Sequence, residues 1–142
     1  MVGCRWIGSE REAELWPSQA MADLDTARDN ARSHPDAACF MAQQAAEKAL
    51  KALELSASGT LTHTHSLDVL LQRLAELRVL TTEPDRKAVR ELQQKNKEAR
   101  YPDMLIDTYP AAYFLEQDAH EAIRHAEDII SAVRANLPFF PD

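Results

Sequence analysis

The residues of this chain that can hold charge or move a proton fall into three stretches. The first is a polar strip of Gln43, Gln44, Glu47, Lys48, Lys51 and Glu54. Spaced mostly at three and four, these residues lie along one side of a helix. The strip reads either as a solvated edge or as a polar lining that faces a cleft or a partner. The second stretch is His63-Thr64-His65. Histidine titrates near neutrality, so His65 is a candidate for proton transfer, with a packed or helix-start histidine as the plain alternative. The third is Arg100-Tyr101-Pro102-Asp103. A guanidinium fork holds phosphate bidentately, which makes Arg100 the anion-binding candidate. Asp103 follows a proline, where a carboxylate accepts turn N–H groups or pairs with Arg100.

Composition removes several other chemistries. The only glycines are Gly3, Gly8 and Gly59, so there is no phosphate loop and no dinucleotide fingerprint. No His-Glu-x-x-His or paired-cysteine spacing occurs, and His63 and His65 have no third ligand nearby in sequence. No metal ligand is therefore assigned. Cys4 and Cys39 suggest no disulfide framework, and Cys39 reads as a small buried hydrophobe. A net charge of −7 works against general binding to a nucleic-acid backbone. Basic residues still cluster locally, as Arg86, Lys87 and Arg90, then Lys95, Lys97 and Arg100. They form a positive face or the solvated side of a helix. His120, Arg124 and His125 make a further polar patch near the C-terminal end. No apolar run is long enough for a membrane span, and a cytoplasmic protein is expected.

The elements that must position these residues are helices. From Asp36 to Ala57 the chain has no Gly or Pro and is rich in strong helix formers. Two apolar stripes, one on Ala42, Ala46, Ala49, Leu50 and Leu53 and one on Ala38, Met41, Ala45, Ala52 and Leu55, predict a central helix with neighbours on both flanks. Asp36 is a candidate N-cap and Gly59 a stop. Upstream, Ser9 with Glu12 fits a capping box, but Pro17 either restarts or kinks the first helix. Downstream, Thr64 or Ser66 caps a leucine-rich helix to about Val79. A more polar helix over roughly 83–96 follows, with Thr82 as cap and Pro84 in its first turn. Residues 100–110 read as an irregular segment packed on the bundle, and a last helix starts between Pro110 and Glu116. No stretch alternates convincingly as a strand. Residues 1–8 read as a loose leader, too short for a signal peptide, and 9–138 as one domain.

Three ordered segments carry a family resemblance. They are the run from Ala42 to Ala52, then His65-Ser66-Leu67 with Leu70 and Leu71, then Ala99-Arg100-Tyr101-Pro102-Asp103. Glu12-Ala13, Trp16, Ala20 and Asp23-Leu24 add to them upstream. Together, over about 10–137, they resemble the HEPN (higher eukaryotes and prokaryotes nucleotide-binding) domain family. The resemblance implies an all-α, antiparallel, up-and-down bundle of four to five helices, commonly a homodimer. Many small prokaryotic members pair with a minimal nucleotidyltransferase in a toxin–antitoxin-like couple. Active members are metal-independent ribonucleases whose motif is an arginine followed, after four to six residues, by a histidine.

That motif is missing where the family would place it, because no histidine lies between His65 and His120. The one pair with the right interval, Arg28 and His34, straddles a helix end and a proline-containing turn. The resemblance therefore implies a homodimeric accessory protein that binds a nucleotide, RNA or a nucleotidyltransferase partner, with no cofactor. Its binding groove is expected from Gln44, Glu47, Lys48, Lys51, His65, Arg100 and Asp103. Two other readings stand beside it. One is a ribonuclease toxin at a different site, using His65 and Arg100 as candidate catalytic groups. The other is a structural helical protein without catalysis.

Overall fold

The computed structural model describes residues 4–6, 10–137 and 140–141. Its helices in chain order are α1 (Glu10–Asn30), α2 (Pro35–Ser58), α3 (Leu67–Leu77), α4 (Arg86–Arg100), the single turn α5 (Pro110–Tyr113) and α6 (Glu116–Arg134). Two short strands, β1 (Cys4–Trp6) and β2 (Thr60–Thr62), pair antiparallel with Arg5 opposite Leu61. The all-α bundle holds, with five long helices and one extra turn. The strands are three residues each, too short for alternation to stand out in sequence. Cys4–Trp6 falls within the expected loose leader of residues 1–8; strand β1 ties it to the domain instead.

Helix α2 is the axis of the bundle. It packs against α1, α3, α4 and α6. Ala38, Ala42, Ala45, Ala46, Ala49 and Ala52 are fully buried along it. Such small side chains let neighbouring backbones approach, and the leucines of α3 and the isoleucines of α6 fill the space between. α1 runs through Pro17 rather than restarting there. The lost hydrogen bond costs about 3 kcal/mol; it is offset by burial of Pro17 itself and of Ala20, Leu24 and Ala27 on the same helix.

The helix ends correct several expectations. Pro35 takes the first position of α2, so His34 is the N-cap, without a side-chain cap bond, and Asp36 lies in the first turn. Gly59 ends α2 at φ 74°, where only glycine is free of strain. Ser66 caps α3 by accepting from the Val69 N–H. α3 stops at Leu77 because Arg78 turns left-handed at φ 56°. Asp85, not Thr82, caps α4 by accepting from the Lys87 N–H, and α4 continues to Arg100. Arg100 thus sits on a helix end and not in an irregular segment. The expected capping box at Ser9 lies outside the described residues.

Two consequences follow from a core this tight. Ala49→Leu should lower the unfolding free energy by about 1–3 kcal/mol through overpacking, while Ala57→Leu, on an exposed position of the same helix, should change it by about 0.5 kcal/mol or less. Urea titration of both measures the difference. Burial pushes the Cys39 thiol up to about 12, so in a Cys4→Ser background it stays protonated at about pH 8. It should react with a thiol-specific disulfide reagent only as fast as the protein unfolds, a rate read from the colour of the released thiolate.

Candidate functional site

The polar strip of α2 is not a solvated edge. Gln43, Glu47, Lys51 and Glu54 are all buried. Buried charge is tolerated only when it is paired, and each of the three charged groups has a partner, while Gln43 bonds through its amide nitrogen and leaves Oε1 without one. Three of the four reach the segment between Gly59 and Leu67. Glu54, fully enclosed, accepts from the Thr62 backbone N–H at 2.9 Å, from the Thr62 hydroxyl at 2.5 Å and from Arg73 Nε at 3.3 Å. Gln43 donates from Nε2 to the carbonyl of His65 at 3.3 Å. Gln93 of α4 accepts from the Leu67 N–H at 2.6 Å. The short connection that carries both histidines is thereby fixed at both ends.

Glu47 stands at the centre. Its carboxylate accepts from Lys51 Nζ at 3.2 Å and lies 3.2 and 3.3 Å from His65 Nδ1. A carboxylate only accepts, so Nδ1 carries the proton in this contact. The neutral ring then keeps a free lone pair on Nε2. The His65 side chain is 87% exposed, against 5% for Glu47, so a buried carboxylate orients a solvent-facing imidazole. Lys51 extends over the ring of Trp16, with Nζ 5.9 Å from the centroid. Trp16, Lys51, Leu61, Thr62, His63 and His65 surround a pocket of about 340 Å³.

The other expected site residues lie elsewhere. Lys48 turns to α1 and pairs with the buried Asp23, which also accepts from Gln19 Nε2 at 2.8 Å. Lys48, Trp16 and Gln19 border a second, more apolar pocket of about 490 Å³. Gln44 is half-buried. Arg100 is exposed at the end of α4, with its guanidinium carbon 5.0 Å from the centre of Phe40 and 5.2 Å from that of Tyr101. Among the described residues no carboxylate pairs with it, Asp103 included. Asp103 lies exposed in a 3-10 turn over Pro102–Met104.

Phe40 precedes Glu47 by seven residues on the same side of α2. The ring beside Arg100 and the carboxylate beside His65 therefore share one helix face, roughly 10 Å apart along its axis. Arg100 does not border the His65 pocket. Of the basic cluster on α4, Arg86 and Arg90 pair with Asp68, and Lys95 with Asp118 and Glu121. Burial opposes the charge on Lys95, but hydrogen bonds to those two carboxylates hold its pKa above the usual value. The Arg28 and His34 pair forms no site: Arg28 is held by Asp25 and Glu127.

Sequence reasoning missed two features. Phe40 as the aromatic bed of Arg100 was hidden because the two are 60 positions apart. A group of Glu91, Glu121 and His125 meets between α4 and α6. The four-residue interval from Glu121 to His125 was the one available hint.

The HEPN domain model matches residues 13–136. The crystal structure of TT1696 from Thermus thermophilus is similar at 31% identity and a TM-score of 0.68, covering 88% of this chain and 98% of that one. ST0689, an archaeal HEPN homologue, is similar at 32% identity and a TM-score of 0.63, covering 87% of this chain and 95% of that one. No curated protein matches. No helix among the described residues is long and apolar enough to cross a membrane.

The pairing on α2 has a measurable asymmetry. Glu47→Ala leaves the Lys51 ammonium buried without its counter-charge and should cost about 3–5 kcal/mol of stability. His65→Ala removes an exposed ring and should cost about 0.5 kcal/mol or less. Chemical denaturation of the two variants tests whether Glu47 serves the core or only the histidine.

Proposed function

This chain belongs to the HEPN domain family, and from that premise we propose that it is a homodimeric accessory protein that binds a nucleotide and a minimal nucleotidyltransferase partner, in a toxin–antitoxin-like pair. The observation that carries the nucleotide reading is Arg100, an exposed guanidinium near the rings of Phe40 and Tyr101 and free of any carboxylate among the described residues. A cation–π contact attracts the guanidinium without using its N–H groups, which stay available for a phosphate. The exposed face of Tyr101 supplies a surface on which a base can stack. Lys51 and the His65 ring lie further along the same helix face. Support for a protein partner comes from the segment after α4. Tyr101, Met104, Ile106, Tyr109, Tyr113 and Leu115 are all exposed within it, and clustered apolar side chains of this kind suit an interface.

The His65–Glu47 contact favours a second reading, a metal-independent ribonuclease. A neutral imidazole oriented by a carboxylate through Nδ1 offers Nε2 as a general base toward a 2′-hydroxyl. The phosphate would need a cation, and Lys51 is already paired with Glu47.

Titration with ATP by calorimetry separates the readings. Binding should weaken at least about tenfold in Arg100→Ala and less in Arg100→Lys, which keeps charge but loses the planar fork. Equal affinity in all three proteins overturns the Arg100 assignment. RNA cleavage in excess chelator that is present in the native protein and lost in a folded His65→Ala variant places the ribonuclease reading first.

A further inference from the structure

Glu91 of α4 and Glu121 and His125 of α6 form a cluster that the nucleotide reading does not use. Their nearest ligand atoms all lie within 4.8 Å of one another. His125 Nε2 is 3.6 Å from Glu91 Oε2 and 3.8 Å from Glu121 Oε1. These separations are too long for hydrogen bonds. Nε2 is also sealed from solvent and has no hydrogen-bond partner. A buried ring nitrogen without a hydrogen-bond partner loses its solvation, and attraction to the two glutamates offsets that only when the ring is protonated. Two donors bound about 2.1 Å from a common tetrahedral metal centre sit about 3.4 Å apart. The two distances to His125 are therefore close to ligand spacing, and the exposed Glu91 carboxylate needs only a small inward shift to close the set around one ion.

Charge and chemistry agree with this. Lys95 lies 3.3 Å from the second oxygen of Glu121 but is balanced by Asp118 at 3.1 Å. The carboxylates that face His125 keep a net negative charge. One imidazole and two carboxylates suit a first-row divalent ion of the zinc type, with a fourth position left to water. We propose that Glu91, Glu121 and His125 bind one Zn²⁺ ion that fastens α4 to α6. Glu91 is the most exposed ligand of the three and provides the way in from solvent.

The test uses the whole chain, stripped with chelator and dialysed. Zn²⁺ is titrated by calorimetry, and Co²⁺ is added to a second sample to read the visible absorption of a bound ion. One equivalent should bind, with a Co²⁺ band. Affinity should fall at least about tenfold in Glu91→Gln and in His125→Asn, each checked for native circular dichroism, and stay unchanged in His120→Asn. The exposed Glu91 keeps the test open if the His125 variant fails to fold. No binding by the native chain overturns the proposal, as does equal binding by native protein and Glu91→Gln, or equal loss in His120→Asn.

Discussion

Burial of four polar side chains on one face of α2 is the constraint on which the rest depends. Gln43, Glu47, Lys51 and Glu54 are placed among helices that leave them little water. An unpaired charge there would cost several kcal/mol, so the chain that crosses this face has to satisfy them. That chain is the segment from Thr60 to Leu67. Glu54 takes two hydrogen bonds from Thr62, and Gln43 bonds the carbonyl of His65. The segment is thereby fixed as part of the fold. His65 is exposed because its backbone is held while its ring points past the edge of the bundle. Core electrostatics and the presentation of a candidate functional group are one interaction seen from two sides.

The alanines of α2 make that possible. With Ala38, Ala42, Ala45, Ala46, Ala49 and Ala52 buried along it, α2 lets α1 and α6 pack closely against it. Larger residues there would push the helices apart and open the polar face to solvent. The loop chemistry follows from the same geometry. Gly59 ends α2 in a left-handed turn, β2 begins at once, and Ser66 caps α3 a few residues on. Six residues separate the glycine from the cap, so there is little slack in which the histidines could wander.

Much of this is legible in the sequence, and the reasons are local. The run after Asp36 has helix formers with apolar residues on two sides, which marks a central helix whatever surrounds it. Gly59 and Ser66 have side chains, or lack one, suited to their places in a helix end. The leucines from Leu67 to Leu77 repeat at helical spacing. What stays hidden needs three dimensions. A strip of Gln, Glu and Lys looks the same whether it faces water or a buried hydrogen-bond network. Strands of three residues have too short a period to read. The start of α4 is misplaced in sequence because Thr82 and Pro84 look like a helix opening, whereas Asp85 makes the bond. The site residues can be picked out by type, but their grouping cannot. Lys48 belongs with Asp23 on α1, and Arg100 with Phe40 near the start of α2.

The spacing of the charged groups along α2 bears on the choice between binding and catalysis. Cleavage of RNA through a 2′-hydroxyl needs a base, an acid and a cation gathered on one phosphate. In one copy of this chain His65 is the candidate base, Lys51 is paired with Glu47, and Phe40, the ring beside Arg100, lies about two helical turns along α2 from Glu47. Arg100 does not border the pocket at His65, so the two are not gathered at one point. Under the binding proposal a ligand would extend along the face, with one anionic end on the Arg100 guanidinium and another part near Trp16 and His65. Binding demands only that the contacts lie along one path, whereas catalysis demands that they meet at a point. The arrangement of α2 meets the first demand within a single chain, which is why the accessory reading takes precedence.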